Sequence, residues 1–383
     1  MNRYISLLAA AAIGLGTVAV AATAATDNRS SDTKAAAPTT SRAHIQNALD
    51  AVVAAGAPGA VLLLRNGTHR VIMTAGLADL RHQTPMRAGD RFRIGSLTKS
   101  FIATIVLQLV GERQLTLNDN IEQWLPGLVP AGAGITIREL LNHTSGLFDY
   151  PNDQKFLQKA LRSPTHTWSP TDLIHVATAH KPLFAPGTKW NYSNTEYIAL
   201  GLIIEKATRH SVHYELNQRI IKPLGLRHTS FPSGASINGP HAHGYLFLGK
   251  PPLQDATTWS ASFAGAAGGL TSTAADVDRF YQTLFSGKLL DSSQLRQMES
   301  AVASLPGQRY GLGLEQDLPS HYVRCSTVWG HDGDFPGYHS EAFASRDGRH
   351  SIVLLVNEML PMLSPKAQHA VHTLVSTAYC SQP

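Results

Sequence analysis

Strand-like runs stand towards both ends of this chain, and a long helix-patterned stretch separates them. That order limits the available folds more than any other feature. Residues 60–65 and 71–75 are rich in strand formers and flank Asn66-Gly67, the signal of an antiparallel hairpin. Residues 310–314, 338–344 and 351–356 read as strands again. Between 118 and 254 the chain shows short helical patterns punctuated by Pro and Gly. Helical spacing also covers 42–55, ending at Gly56, and 275–285 and 366–379. Phe101, Ile102, Ile105, Val106, Leu109 and Val110 predict an amphipathic helix just after the first strands. Strands so far apart in sequence bury their apolar faces by joining one sheet. The expected class is α/β, of the α+β type: an antiparallel sheet flanked by terminal helices, with an all-helical domain inserted. The α/β domain is assigned to 42–112 and 255–383, and the helical domain to 113–254. No repeat of solenoid period is present.

With 383 residues, 43% hydrophobic and 15% charged, the chain can build a large core and is not wholly disordered. Its net charge of +5 is spread along the length, with no basic run of the kind that binds nucleic acid. The N-terminus reads as an export signal over 1–24. Arg3 is followed by an Ala-rich apolar stretch, and Ala22-Thr23-Ala24 has the small-x-small form of a cleavage site. The alternative is an uncleaved membrane anchor. Residues 25–41, rich in Ser, Thr, Ala and Pro, form a disordered spacer in this reading. The expectation is a secreted, extracellular monomer with no membrane partner after cleavage. Outside the cell the two cysteines, Cys325 and Cys380, read as a disulfide, and inside it as free thiols. Closing that loop contributes about 4 kcal/mol in the chain-entropy model.

The strongest local chemical signal is Ser96-Leu97-Thr98-Lys99 at the start of the apolar helix. Residues three apart share a helix face. A lysine so placed takes a serine proton if burial depresses its pKa. The spacing alone is weak, because Ser31-Asp32-Thr33-Lys34 repeats it in the polar spacer, where nothing buries a lysine. Tyr192-Ser193-Asn194 follows the turn residues Pro186-Gly187, and its tyrosine and amide suit proton relay and carbonyl positioning. Tyr150-Pro151-Asn152 has the same form. His331-Asp332-Gly333 is the third element, with a glycine that lets a substrate backbone approach a strand edge.

Taken together these motifs resemble the penicillin-recognising serine hydrolases. The run Arg91-Phe92-Arg93-Ile94-Gly95-Ser96-Leu97-Thr98-Lys99-Ser100 looks like their active-serine motif. Leu140-Leu141-Asn142-His143-Thr144-Ser145-Gly146-Leu147 is similar to another segment, and Tyr192-Ser193-Asn194 and Gly330-His331-Asp332-Gly333 follow in order. The likeness spans about residues 42–380. It is nearest to the secreted actinomycete D-alanyl-D-alanine carboxypeptidases, with class C β-lactamases and esterases further off. The resemblance implies Ser96 as nucleophile, Lys99 as its base, Tyr192 as proton shuttle and Asn194 as a positioner of the substrate amide. His331 stands where relatives carry lysine or histidine. The backbone N–H groups of Ser96 and Asp334 are the implied oxyanion hole. Trp259 aligns, more loosely, with a residue lining the acyl side of the cleft, and Gly333 with the substrate edge. The implied partners are small peptide, amide or ester substrates and β-lactams. Neither a cofactor nor a metal is implied. The cysteine positions also resemble those of the carboxypeptidases, which implies a Cys325–Cys380 disulfide.

The pattern breaks at three positions. Carboxypeptidase-like relatives hold a terminal carboxylate with an arginine after a Tyr-Gly-Leu-Gly-Leu run and with two threonines around the motif glycine. Here Tyr310-Gly311-Leu312-Gly313-Leu314 is followed by Glu315, and the threonine positions hold Asp332 and Asp334. Like charges at ~4 Å repel by ~4 kcal/mol at an effective dielectric near ~20. The expectation is a substrate subsite, formed by Glu315, Asp332 and Asp334, that disfavours carboxylates and accepts an amide, an ester or a cationic leaving group. The alternative is that the aspartates point away from the cleft, or that an arginine such as Arg324 compensates. The lead function is thus a D-alanyl-D-alanine carboxypeptidase-like peptidase. The alternatives are a D-amino-acid amidase or esterase, or a non-catalytic sensor of β-lactams or wall fragments. Eighteen histidines, His241-Ala242-His243 among them, raise a metal hydrolase, but no His-Glu-x-x-His helix is present. A Gly-x-Ser-x-Gly elbow is also absent, against an α/β-hydrolase.

Overall fold

A computed structural model describes residues 42–382 except positions 131, 250 and 320. The export-signal and spacer readings over 1–41, and Ser31 to Lys34 within them, lie outside the described residues. Among the described residues no helix is long and apolar enough to cross a membrane.

Nine strands form one antiparallel sheet. In chain order they are β1 (Gly59–Asn66), β2 (His69–Asp79), β3 (Thr84–Pro85), β4 (Val302–Ala303), β5 (Gln308–Tyr310), β6 (Glu315–Asp317), β7 (Val328–Phe335), β8 (Tyr338–Ala344) and β9 (His350–Val356). They lie in the order β3-β2-β1-β9-β8-β7-β6-β5-β4, so β1 from the front of the chain pairs with β9 from the back. Both central strands are apolar on both faces. Val61 and Leu63 of β1 enter one core while Ala60, Leu62 and Leu64 enter the other, as the two-residue period of a strand requires. The second core is closed by α1 (Arg42–Ala54) and by α5 (Pro365–Cys380), which lie against each other. Ser364 caps α5 through the Ala367 N–H, with Pro365 at the first helical position. Cys325 is joined to Cys380 at the far end of that helix.

The opposite face carries the larger core and the chemistry. Here lie α2 (Thr98–Gly111), α3 (Asn194–Thr208) and α4 (Ala274–Phe285). A buried ion pair, Arg65 Nε to Asp278 Oδ1 at 2.9 Å, ties α4 to the sheet. α2 is not amphipathic: every residue from Thr98 to Leu107 is buried, because helices and sheet surround it. Two strand readings also shift. The hairpin turn is Gly67-Thr68, with Asn66 still paired to His69, because Gly67 supplies the positive φ of 59°. Residues 311–314 are a loop between β5 and β6 rather than a strand. Gly313 has φ 72°, and a Cβ there would lie 2.5 Å from that of Ala103 on α2. In the stretch read as helical, the chain returns to the sheet side before 254. Ala242 and His243 donate to the backbone of Arg91 and Ala78, and Tyr245–Leu246 pairs with Gln254–Asp255.

Candidate active site

A tight turn over Gly95–Leu97 delivers Ser96 to the start of α2, so Lys99 follows one turn later on the same side. Lys99 Nζ lies 3.0 Å from Ser96 Oγ, 2.7 Å from Asn194 Oδ1 and 2.8 Å from the carbonyl of Ala267. Its ammonium also sits 4.7 Å from the centre of the Tyr192 ring. The Tyr192 hydroxyl donates to Ser96 Oγ at 2.7 Å. Four residues from three distant segments thus meet around one hydroxyl.

The electrostatics follow from burial. Lys99 is fully buried, and loss of hydration lowers its pKa to about 7 against the pull of Asp149, Asp332, Glu196 and Glu315. Burial also lifts Asp149 to about 7, against hydrogen bonds from Asn194 and the nearby Lys99. The Tyr192 phenol is pushed well above its usual range by burial, so it is a proton donor and not a phenolate at neutral pH. A base titrating near neutrality and a neutral acid are therefore both within hydrogen-bonding distance of the nucleophile.

Asp149 is the first residue the sequence did not reveal. It accepts the Asn194 backbone N–H at 2.7 Å and the Asn194 amide at 3.3 Å. The first turn of α3 has no side-chain cap of its own, and this carboxylate supplies one from a distant loop. His143 and Glu196 are the second and third. Their side chains are hydrogen-bonded and fully buried, and Glu196 also binds Ser145. The His143 ring lies 4.3 Å from that of Tyr192. Burial drives the His143 pKa well down and the Glu196 pKa well up. His143 belongs to the Leu140-to-Leu147 run, which was a signal without a role. Tyr150 of the decoy Tyr150-Pro151-Asn152 instead donates to Phe263 O, away from Ser96.

Strand β7 closes the other side. A Cβ on Gly95 (φ 49°) would lie 2.6 Å from Asp334 O. One on Gly333 would lie 2.7 Å from the Ser96 nitrogen. Only glycine at both places lets the β7 backbone touch the turn that holds Ser96. The two-residue loop between Phe335 and Tyr338 fixes the ladder alternation, and it turns the Asp334 N–H towards the unpaired edge of β7. The two amide groups expected to form an oxyanion hole thus lie on adjoining segments.

His331 sits on the same face. Its Nε2 accepts from the Tyr310 hydroxyl at 2.8 Å, and its Nδ1–H donates to the carbonyl of Asp332. Burial, with Lys99 adding to it, lowers its pKa to about 3, so the ring is neutral. Glu315 Oε1 is 3.3 Å and Asp332 Oδ1 3.7 Å from His331 Nδ1. Burial raises Glu315 well above its usual range, with Asp332 adding to it, and lifts Asp332 to about 6. Glu315 Oε2 is buried without a hydrogen-bond partner.

Asp334 is turned away, contrary to the expectation of three converging acids. Its Oδ1 is 3.0 Å from His339 Nδ1 and accepts the Leu360 N–H at 3.2 Å. Even-numbered residues of β7 face the terminal helices, and Asp332 and Asp334 share that alternation; Asp332 differs in that its Oδ1 also comes within 3.7 Å of His331 Nδ1. Arg324 is exposed beside Cys325 and makes no ion pair among the described residues, so it does not compensate the acids. Trp259 is buried against Phe263, with no ring or hydrogen-bond contact to Ser96 among the described residues.

Glu315, His331 and Asp332 form a group whose donor atoms lie within 4.8 Å of one another. Both ring nitrogens of His331 are already engaged, which leaves none for a metal. Of the other histidine pair, His241 binds Gly239 O and His243 binds Asp255.

A serine flanked by a buried lysine and a neutral tyrosine, on an antiparallel sheet with a helical cover, defines a serine hydrolase of the β-lactamase/transpeptidase type. The chain belongs to the Beta-lactamase family, whose profile matches residues 42–375. Among solved structures it is similar to a D-stereospecific amidohydrolase from a Streptomyces species. The identity is 38% and the TM-score 0.80, over 90% of this chain and 100% of that one. A D-amino acid amidase from Ochrobactrum anthropi SV3 matches at 30% identity and a TM-score of 0.78, over 88% and 98% of the two chains. Penicillin-binding protein 4* of Bacillus subtilis is 27% identical over 314 residues, 78% of this chain and 68% of that protein.

Proposed function

We infer that the protein is a D-stereospecific amidohydrolase, acting on D-amino-acid amides and related short peptides whose leaving group carries no carboxylate. In the catalytic sequence, neutral Lys99 takes the Ser96 proton as Oγ attacks the amide carbonyl. The oxyanion is received by the Ser96 and Asp334 N–H groups. Tyr192 gives its proton to the departing nitrogen, the C–N bond breaks, and an amine leaves. Water then attacks the Ser96 ester, with the same groups returning the protons, and a carboxylic acid is released. Asn194 holds Lys99 by its side-chain oxygen.

The observation that carries the substrate class is the company of His331. Glu315 and Asp332 lie beside it, where carboxypeptidase-like relatives have an arginine and a threonine. A substrate carboxylate brought there meets two acids in place of that arginine and threonine. An amide leaving group carries no charge to be repelled there. The two amide-hydrolysing structural relatives support the same reading. The carboxypeptidase expectation is the second reading, supported by the penicillin-binding relative. Export, with residues 1–24 removed, and a monomeric state belong to the same proposal.

The test is hydrolysis of D- and L-phenylalanine amide by the wild type and by Ser96→Ala. The reading predicts ammonia release from the D-amide, a much slower reaction with the L-amide, and none from the variant. Equal rates for the two enantiomers, or turnover by Ser96→Ala, would sink it.

A further inference from the structure

We propose a second small-molecule site, apart from Ser96, at the end of the sheet where the last turn of α1 meets the start of α5. It is a cavity of about 530 Å³ walled by Phe247, Leu253, Met362 and Leu363, with the carboxyl of Glu358 in its lining. Its ligand is a small apolar primary amine, with the ammonium on Glu358 and the hydrocarbon body against those four side chains. The volume falls within the range of small-molecule sites, roughly 300–1,000 Å³.

Three observations carry the assignment. Glu358 follows β9 and is 2% exposed, yet neither of its carboxyl oxygens has a hydrogen-bond or ion-pair partner among the described residues. The carboxyl oxygens are open to the cavity rather than sealed in the core, so a water or a ligand there supplies their hydrogen bonds. The other polar side chain of the lining, Ser364, is already spent: its hydroxyl donates to Ala55 O and accepts the Ala367 N–H that caps α5. Among the described lining residues Glu358 is the one charged side chain.

That chemistry selects a donor. A carboxylic acid or phosphate repels the carboxyl, and a plain hydrocarbon leaves it unpaired. A primary ammonium offers three N–H groups in a charge-assisted pair. Burial holds the Glu358 carboxyl up at about 8, so it is largely protonated at pH 7. Binding an ammonium ionises it, and the displaced proton passes to the buffer: one proton leaves for each amine bound. The site does not depend on the substrate assigned to Ser96.

The experiment is calorimetric titration of 2-phenylethylamine into the full-length protein at pH 7, in phosphate and in Tris. One binding site is expected, with heats that differ between the buffers by close to one proton per amine. Glu358→Gln is expected to weaken binding at least tenfold and to remove the buffer difference. Met362→Trp, which fills the cavity with Glu358 intact, is expected to abolish binding. Ser96→Ala is expected to bind as the wild type does. Thermal unfolding checks that the two cavity variants are folded. Absence of binding up to millimolar amine overturns the proposal. So does unchanged affinity in a folded Glu358→Gln or Met362→Trp protein, and so does loss of binding in Ser96→Ala, which would put the amine in the catalytic cleft.

Discussion

The acids around β7 fall into two groups of opposite consequence. His331 and Gly333 meet the Ser96 turn, and the carboxyls of Glu315 and Asp332 stand within reach of the His331 ring. On the side of the terminal helices, Asp334 and Glu341 hold His339 between them. Burial alone would lower the His339 pKa, but the two carboxylates override it and lift it to about 10. Glu315 and Asp332 make no ion pair with a lysine or arginine among the described residues, whereas Asp334 and Glu341 flank the His339 cation, which also acts on Asp332. An acid within a few residues of a catalytic motif therefore says little until its hydrogen-bond and charge partners are known, because Asp332 and Asp334 share one strand parity and differ in the groups they meet.

The largest expected effect sharpens the catalytic side. Ser96→Ala should lower kcat/KM by about 10⁴-fold or more, with no acyl-enzyme detectable by intact-protein mass spectrometry. Lys99→Met should cost about 10²- to 10⁴-fold at neutral pH, the usual contribution of a positioned base. The wild-type kcat/KM should rise about tenfold per pH unit below about 7 and level off above it, because the base acts in its neutral form. A profile flat from pH 5 to 8 would remove Lys99 from that role.

A smaller effect tests the acids beside His331. The double variant Glu315→Arg with Asp332→Thr should shift the ratio of carboxylate-ended to amide-ended substrates by about 10- to 100-fold towards the former, the worth of one or two charge-assisted contacts. An unchanged ratio would break the comparison, since these acids would then be as remote from substrate as Asp334. The smallest effect on catalysis belongs to Asp334. Asp334→Asn keeps the backbone N–H, so the substrate ratio should stay within about twofold, while stability falls by about 1–3 kcal/mol through loss of a partner to a buried cation. The pH dependence has a definite sign. His339 has a folded pKa raised above its ordinary 6.5, so its stabilisation is complete below 6.5 and fades as pH rises through about 10. Chemical denaturation should therefore show a larger penalty for Asp334→Asn at pH 6 than at pH 10.

Much of the fold was legible because its signals are local and periodic. The strand read over 338–344 is Tyr338–Ala344, and the terminal helix read over 366–379 is Pro365–Cys380. Failures came where packing overrides pattern. α2 has the apolar spacing of a half-buried helix and is enclosed on every side. Residues 311–314 alternate like a strand, but their two glycines fold them against α2 and Met298. Ser96, Lys99, Tyr192 and His331 were legible because their spacing is part of a recognisable motif. Asp149 and Glu196 were not, because each is a single acid whose meaning comes from a partner in another segment. The separation of Asp334 from Asp332 was hidden for a related reason: both stand at even positions of β7, and only their partners, His339 and the Leu360 N–H for Asp334 and the His331 ring for Asp332, tell them apart.

The central claim is that the acids beside His331 turn this hydrolase from carboxylate-ended to amide-ended substrates. The most direct measurement compares kcat/KM for an acylated peptide ending in D-Ala-D-Ala with that for its C-terminal amide, on the same preparation, with Ser96→Ala as control. The account predicts that the amide is cleaved faster. Faster cleavage of the free acid would contradict it and return the protein to the carboxypeptidases.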